Sequence, residues 1–147
     1  MKARGMIDIG NKNITRRTAG AQAIVRLNKE IVEKIRAGDM PKGNVLEYAR
    51  IAGILACKKT DELIPLCHTI GVEHADIRFT LSDGSVIIES TVKSTGKTGV
   101  EMEAMISAAV AALTIYDMSK MFSRGIEIEK VCLLEKRGGK SGRYVRR

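Results

Sequence analysis

Hydrophobic residues recur along the chain with two different periods. A spacing of three and four residues, which favours helix, occurs in KEIVEKIRA (29–37), in VLEYARIAGILACKK (45–59) and in a long apolar segment from residue 101 to 121. Alternation with a period of two occurs in ADIRFTL (75–81) and SVIIESTV (85–92), on either side of SDGS, and predicts a β-hairpin. The chain therefore combines helices with strands.

Capping residues indicate where two of the helices begin. Asn28 is a predicted N-cap for the first helix, and Gly38 ends it. Asn44 precedes the second helix, with Glu47 three residues later, the spacing of a capping box. One face of the second helix is expected to consist of Val45, Tyr48, Ala49, Ala52 and either Leu55 or Ala56. Pro65 forbids a long helix through the next segment, which we expect to be irregular.

The order of these elements predicts the fold class. TAGAQAIVRL (18–27) fits either a strand or the start of a helix, and IEIEKVCLLEK (126–136) fits a strand. With a strand at 18–27 the order is βαββαβ, which is an α+β, ferredoxin-like two-layer sandwich with an extra helix in the first crossover. We expect one domain over residues 1–147, with flexible segments at 1–15 and 138–147.

Two charges stand at the end of the long apolar helix, Asp117 and Lys120. On a helical wheel Lys120 lies about 60° from Asp117, and three apolar residues fall within about 40° of it: Ile106, Val110 and Leu113. Because both charges extend an apolar stripe, we expect a partly buried pair suited to acid–base chemistry. The alternative is an exposed ion pair at a fraying helix end, worth only ~0.2–0.5 kcal/mol.

Glu103 lies on the same stripe, fourteen residues before Asp117. The two carboxylates are therefore about 21 Å apart along the helix axis. One small ligand cannot easily contact both within one subunit, so a site that uses both would take them from different subunits. A helix that is apolar on all sides is consistent with packing at such an interface.

Net charge and cysteine content indicate which kind of partner the protein binds and which cellular compartment it occupies. The net charge of +8 and pI of about 9.6 favour an anionic partner, and 3% aromatic residues argue against a base-stacking platform. Three scattered cysteines (Cys57, Cys67 and Cys132) indicate a reducing cytosol. The N-terminus is no signal peptide and no apolar run is long enough to span a membrane, so we expect a soluble cytoplasmic protein.

Two glycine-bearing basic stretches resemble phosphate-binding loops, TGKTG (95–99) and GGKSG (138–142). Neither has a glycine five residues before its GK glycine, as a Walker P-loop requires. We interpret them as flexible loops in which Lys97 and Lys140 attract phosphate as loose cations.

Metal binding is not supported by the ligand pattern. Cys67, His68 and His74 lie close in sequence, but the third and fourth ligands at fitting spacings are missing. His68 nevertheless follows a proline-bearing loop, and loops carry function more often than core elements do.

Three long blocks resemble a known family. They are KGNVLEYARIAGILACKKTDELIPLCHTI (42–70), TGKTGVEMEAMISAAVAALTIYDMSK (95–120) and LLEKRGGKSG (133–142). Together they closely resemble the cyclic pyranopterin monophosphate synthases, the MoaC family of molybdenum-cofactor biosynthesis. The resemblance covers roughly residues 6–142.

The resemblance implies a fold, an assembly and a reaction. Members have a ferredoxin-like plan and form homohexamers, trimers of dimers with active sites at the dimer interface. The implied lyase reaction converts the GTP-derived (8S)-3′,8-cyclo-7,8-dihydroguanosine 5′-triphosphate into cyclic pyranopterin monophosphate and releases pyrophosphate. The sequence leaves open whether Mg²⁺ accompanies the triphosphate.

The resemblance also implies roles for individual residues. Asp117 is the implied catalytic acid or base, Lys120 holds or protonates the reacting group, and Lys42 is a further catalytic lysine. The implied substrate-binding residues are Leu66, Cys67, His68, Met102, Glu103, Arg17, Lys58 and Lys136.

A second hypothesis comes from the charge alone. A basic ferredoxin-like module could bind RNA or a regulatory nucleotide without chemistry. Asp117 discriminates between the two hypotheses, because a nucleic-acid binder gains nothing from a carboxylate in an apolar stripe.

Overall fold

The computed structural model describes residues 4–147. Within this range it contains β1 (Thr15–Arg26), α1 (Lys29–Ala37), α2 (Val45–Cys57), α3 (Thr60–Leu63), β2 (Val72–Ser82), β3 (Ser85–Gly96), α4 (Glu101–Ser119), β4 (Glu127–Arg137) and β5 (Tyr144–Val145). None of these helices is long and apolar enough to cross a membrane.

The strands form one antiparallel sheet in the order β2-β3-β1-β4-β5. Strand β1 lies at its centre and pairs with β3 from Thr15 opposite Gly96 to Arg26 opposite Ser85. Strands β2 and β3 form the predicted hairpin around a two-residue Asp83–Gly84 turn. Residues 18–27 thus belong almost entirely to a strand, and the predicted ferredoxin-like plan is confirmed.

The core lies between one face of the sheet and the helices α2 and α4. Ala19, Ala21 and Ala23 of β1 are fully buried. Their small side chains leave room for α4, which packs across β1, β3 and β4, while α2 packs on α4 and β2. The hydroxyl of Ser90 on β3 donates a 2.6 Å hydrogen bond to the carbonyl of Ala104, which ties the start of α4 to the sheet.

Helices α2 and α4 approach each other closely at Gly53. A Cβ atom at that position would lie 2.8 Å from the backbone oxygen of Ser107 and would also collide with the side chain of Ile77. The buried residues of α2 are Val45, Ala49, Gly53, Ala56 and Cys57. Tyr48 is exposed instead of sharing that face, so the prediction was wrong for this residue, and of the alternatives Leu55 and Ala56 it is Ala56 that is buried.

The predicted helix ends are confirmed by their hydrogen bonds. The side chain of Asn28 accepts from the backbone N–H of Ile31 at 2.9 Å, and Gly38 ends α1 with a φ of 73°. The side chain of Asn44 accepts from the N–H of Glu47 at 3.1 Å. The Glu47 carboxylate pairs with Arg50 rather than returning to Asn44, so only half of the capping box forms.

The structure differs from the sequence-based expectation in three connecting segments. The segment expected to be irregular after α2 contains the single-turn helix α3, and β3 continues into the expected loop as far as Gly96. The tail expected to be flexible carries β5, which pairs with Glu135 and Lys136. Gly138 and Gly139 have positive φ and reverse the chain, so that the tail meets the unpaired edge of β4.

Candidate active site

The C-terminal end of α4 carries a cluster of three charged side chains, which we call the Asp117 cluster (Lys42, Asp117 and Lys120). The ammonium of Lys120 lies 2.7 Å from one carboxylate oxygen of Asp117. The ammonium of Lys42 donates to the other oxygen at 2.8 Å and to the Asp117 backbone carbonyl at 3.2 Å. The structure therefore brings together all three residues expected to be catalytic, although Lys42 is 75 positions from Asp117.

The two lysines stabilise the ionised form of Asp117. The hydrogen bond from Lys120, followed by that from Lys42, lowers the pKa of the Asp117 carboxyl to about 2. The same hydrogen bond to Asp117 raises the pKa of the Lys120 ammonium. At neutral pH the cluster is a carboxylate held by ammonium groups, which suits it to stabilise negative charge and to donate protons from lysine.

The Asp117 cluster is more exposed than the sequence predicted. The side chains of Lys42, Asp117 and Lys120 are 42%, 54% and 56% exposed, so the expectation of a partly buried pair was wrong for the single chain. The apolar stripe that motivated it is the outer side of α4, where Leu113 is also exposed. The buried side carries small residues instead, because α4 lies tightly against β1 and α2: Ala104, Ser107, Ala108, Ala111 and Ala112.

An apolar cavity lies beside the Asp117 cluster. It has a volume of about 510 Å³ and is lined by Lys42, Asp117, Thr114, Met118 and a row from α2: Tyr48, Ile51, Ala52 and Leu55. Tyr48, Ile51 and Leu55 are each more than half exposed, as is Leu113 on α4. A continuous patch of this kind next to charged residues is typical of a surface that contacts another molecule.

The other end of α4 borders a second cavity, which we call the loop cavity. Its volume is about 510 Å³. It is lined by Leu66, Cys67 and His68 from the loop after α3 and by Met102 and Glu103 from the first turn of α4. Five residues expected to bind substrate therefore share one cavity.

Burial controls the ionisation of groups around the loop cavity. Glu103 is 3% exposed, and desolvation by burial raises the pKa of its carboxyl. Desolvation followed by the charge of Glu103 raises the pKa of the Cys67 thiol, and the same two causes raise the pKa of Cys57 to about 11. A ligand group that donates N–H bonds to Glu103 would offset the cost of burying its charge.

Lys136 is connected to the loop cavity by an ion pair with Glu101, a residue that the sequence did not single out. Its ammonium lies 2.7 Å from a carboxylate oxygen of Glu101, which also lines the cavity. Both side chains are about 30% exposed. A signal for Glu101 was present in the sequence, because it stands at the first position of the helix, where an acidic residue is favoured, two residues before Glu103.

A third cavity adjoins the loop cavity, and we call it the basic cavity. It has a volume of about 460 Å³, and its charged lining residues are Lys12, Arg17 and Lys140. Lys12 lines the loop cavity as well, so the two cavities share a wall. The Nε of Arg17 is buried without a hydrogen-bond partner within residues 4–147. The arrangement provides cations for a polyanion that extends from the loop cavity.

The GGKSG stretch forms one side of the basic cavity. A side chain at Gly139 would collide with the guanidinium of Arg17, and one at Gly138 would collide with the backbone of Arg16. Glycine is therefore needed here for close approach to β1, which places Lys140 beside Arg17. The resemblance had not assigned Lys140 to the site.

The structure leaves Lys58, another predicted binding residue, outside these cavities. It follows the last residue of α2 with an exposed side chain and is not among the residues lining either the loop cavity or the basic cavity. Its charge lowers the pKa of the neighbouring Cys57 thiol, in opposition to the larger effect of burial.

The two ends of α4 serve different cavities. Glu103 lines the loop cavity and Asp117 lines the apolar cavity. A separation of fourteen residues on one continuous helix corresponds to about 21 Å. Among residues 4–147, no group of three or more His, Cys, Asp or Glu side chains is placed to hold a metal ion.

Comparison with known proteins identifies the family of the chain. The model of the MoaC family matches residues 6–139. The chain belongs to the MoaC family. The match includes the Asp117 cluster, both walls of the loop cavity and Arg17 of the basic cavity.

Individual MoaC family members resemble the chain over nearly its whole length. The cyclic pyranopterin monophosphate synthase of Syntrophomonas wolfei is 52% identical over 143 residues, which is 96% of this chain and 91% of the relative. The enzyme of the same name from Geotalea uraniireducens is also 52% identical, with 96% and 89% covered. That from Listeria innocua is 50% identical over 141 residues, with 95% and 88% covered.

Proposed function

We propose that the protein is a cyclic pyranopterin monophosphate synthase of molybdenum-cofactor biosynthesis. As a phosphorus–oxygen lyase it converts (8S)-3′,8-cyclo-7,8-dihydroguanosine 5′-triphosphate into cyclic pyranopterin monophosphate and pyrophosphate. Similarity to synthases of this name supports the proposal. The observation that carries it is the Asp117 cluster, in which Lys42 and Lys120 converge on one carboxylate from distant parts of the chain.

The loop cavity and the basic cavity match the two halves of this substrate. The base has a guanidine-like edge with N–H donors, and the buried carboxylate of Glu103 can accept them beside His68 and the Met102 segment. The triphosphate is a polyanion, and Arg17 and Lys140 supply positive charge in the adjoining cavity. We keep Lys136 as a substrate-binding residue at the loop cavity, where it pairs with Glu101.

The reaction requires proton transfers during ring rearrangement and attack of a ribose-derived hydroxyl on the α-phosphorus. The new oxygen–phosphorus bond forms as the bond to pyrophosphate breaks, and negative charge increases on the leaving group. Lys42 and Lys120 can stabilise that charge and donate protons. With a pKa near 2, the Asp117 carboxyl is too weak a base to act alone at neutral pH. Its role in this proposal is to hold the two lysines and to exchange protons through them.

The proposed enzyme is a homohexamer, a trimer of dimers with composite sites. The exposed apolar patch on α2 and α4 supports a subunit interface next to the Asp117 cluster. Because Glu103 and Asp117 lie about 21 Å apart on one helix, the loop cavity of one subunit would face the Asp117 cluster of another. We place the enzyme in the cytoplasm, where three free cysteines remain reduced.

Turnover of the cyclised GTP intermediate tests the proposal directly. Purified protein should release pyrophosphate and pterin product in equal amounts, and reactions with Mg²⁺ and with EDTA would show whether the metal is needed. Asp117→Ala should abolish turnover without changing the oligomer. Asp83→Ala, which removes an exposed carboxylate in the β2–β3 turn, serves as the matched control and should remain active. Normal turnover by Asp117→Ala would refute the catalytic assignment.

A further inference from the structure

The segment from Gly5 to Lys12 covers one side of the loop cavity. It contributes Gly5, Met6, Ile7, Ile9 and Lys12 to the lining, so it forms as much of the wall as the loop after α3. Met6 and Ile7 are at least half exposed and have little apolar packing to hold them. Something other than burial must therefore keep this segment in place over the cavity.

Two side chains form hydrogen bonds that hold the segment against the rest of the molecule. The Nε2 atom of His68 lies 2.7 Å from the carbonyl oxygen of Ile7, and the ammonium of Lys97 donates to the carbonyl oxygen of Gly10 at 2.7 Å. A carbonyl oxygen can only accept, so His68 carries its proton on Nε2 in this contact. Lys97 belongs to the TGKTG stretch, and its ammonium is directed to the chain itself rather than left as a loose cation.

The segment also has local structure where Lys97 holds it. The N–H of Gly10 donates to the carboxylate of Asp8 at 2.8 Å, and the N–H of Lys12 donates to the carbonyl of Ile9 at 3.0 Å. These two bonds form consecutive tight turns around Gly10. A single external hydrogen bond at Gly10 can therefore fix the position of the whole turn, including Lys12, which stands between the two cavities.

The hydrogen bonds from His68 and from Lys97 are not equivalent when substrate is bound. His68 is a proposed substrate-binding residue, so its hydrogen bonds can change when substrate enters. Lys97 is not among the residues lining the loop cavity, and its bond to Gly10 does not compete with the ligand. The Lys97 contact is the one that can persist throughout binding and turnover.

We propose that Lys97 is a positioning residue, which holds residues 5–12 as a wall of the substrate cavity through its hydrogen bond to Gly10. The proposal rests on the proposed function, because it takes the loop cavity to be the substrate site. It requires no contact between Lys97 and substrate. Loss of the bond should weaken substrate binding by loosening the wall, and should leave the chemical step unaffected, because another subunit supplies the Asp117 cluster in the proposed composite site.

The test compares three variants of the full-length protein. Lys97→Met removes the donor but keeps the aliphatic stem, and Lys97→Arg keeps a donor. Lys93→Met removes an exposed lysine on β3, four residues before Lys97, and serves as the charge control. Each is assayed for KM and kcat with the cyclised GTP intermediate. Each is also exposed to trypsin without ligand, with cleavage after Lys12 followed by mass spectrometry.

The expected result is a coupled change in binding and in protection of the segment. Lys97→Met should raise KM about tenfold and speed cleavage after Lys12 by a similar factor, with kcat changed less than twofold. Lys97→Arg should restore both, and Lys93→Met should resemble the wild-type protein.

Two outcomes would overturn the proposal. If Lys97→Met raises KM without faster cleavage after Lys12, the ammonium contacts the substrate phosphates directly. If Lys97→Met matches Lys93→Met in both measurements, the bond to Gly10 has no role. Should the wild-type protein convert nothing, the proposed function fails, whereas the proteolysis still decides whether Lys97 holds the segment.

Discussion

A mixture of two inactive variants should regain activity if each site is built from two subunits. Asp117→Ala removes the carboxylate at the end of α4, and Glu103→Ala removes the one at its start. In a mixed dimer, one site receives intact Glu103 from the first subunit and intact Asp117 from the second. The other site receives both substitutions and is inactive.

The continuity of α4 and the fraction of mixed dimers determine how much of the wild-type activity the mixture should regain. Because α4 is continuous from Glu101 to Ser119, one subunit cannot offer both carboxylates to a small ligand. With equal coexpression about half of the dimers are mixed, and one of the two sites in each is intact. The mixture should therefore reach about one quarter of wild-type kcat per subunit, with an unchanged KM.

A second mixture provides a control that the same geometry dictates. Lys42 and Asp117 contact each other within one subunit at 2.8 Å, so coexpressed Asp117→Ala and Lys42→Ala should not complement. Tagged subunits and native mass spectrometry would establish that mixed oligomers are present. If they are, and the Asp117→Ala with Glu103→Ala mixture remains as inactive as each variant alone, the composite site is refuted.

Three further predictions concern ionisation and packing. The carboxyl of Asp117 should titrate near pH 2 by NMR, and Lys120→Met should move this midpoint up towards 3.8. Since the pKa is lowered in the folded state, the ion pairs stabilise the fold above pH 3.8, and this stabilisation disappears as the pH falls to 2. A wild-type midpoint of 3.8 would contradict the ion pairs. Gly53→Ala should destabilise the fold by about 1–3 kcal/mol and lower Tm by several degrees in calorimetry, because its Cβ would lie 2.8 Å from the Ser107 carbonyl. An unchanged Tm would show that α2 and α4 can separate freely. With a pKa of about 11, Cys57 should resist iodoacetamide at pH 8 and react only after unfolding, and rapid labelling in the native protein would disprove its burial.

Local signals in the sequence predicted the helix ends and the hairpin well. Asn28 and Asn44 cap the helices they were expected to cap, because an N-cap acts on backbone N–H groups only a few residues away. The orientation of α4 could not be predicted in the same way. Its apolar residues surround the helix, so periodicity does not distinguish the side facing β1 from the side carrying Leu113.

The sequence predicted only part of the candidate site, because local patterns do not show which distant residues meet in the fold. The family resemblance implied catalytic roles for Lys42 and Asp117 and substrate-binding roles for Leu66 to His68 and Glu103. Their contacts depend on tertiary structure, since no local rule joins residues so distant in sequence. The Lys136–Glu101 pair and the anchoring of Gly10 by Lys97 also depend on tertiary structure. The burial of Asp117 was overestimated because a helical wheel cannot reveal which side of an apolar helix faces solvent.

Residues from the N-terminal segment and from the C-terminal tail line the same cavity, and this has a practical consequence. Lys12 near one terminus and Lys140 near the other line the basic cavity. A bulky group attached close to Lys12 or Lys140 would therefore crowd the candidate phosphate site. The Asp83–Gly84 turn lies at the opposite end of β3 from Gly96, about 36 Å away along an extended strand. An epitope inserted in that turn would leave both cavities unobstructed.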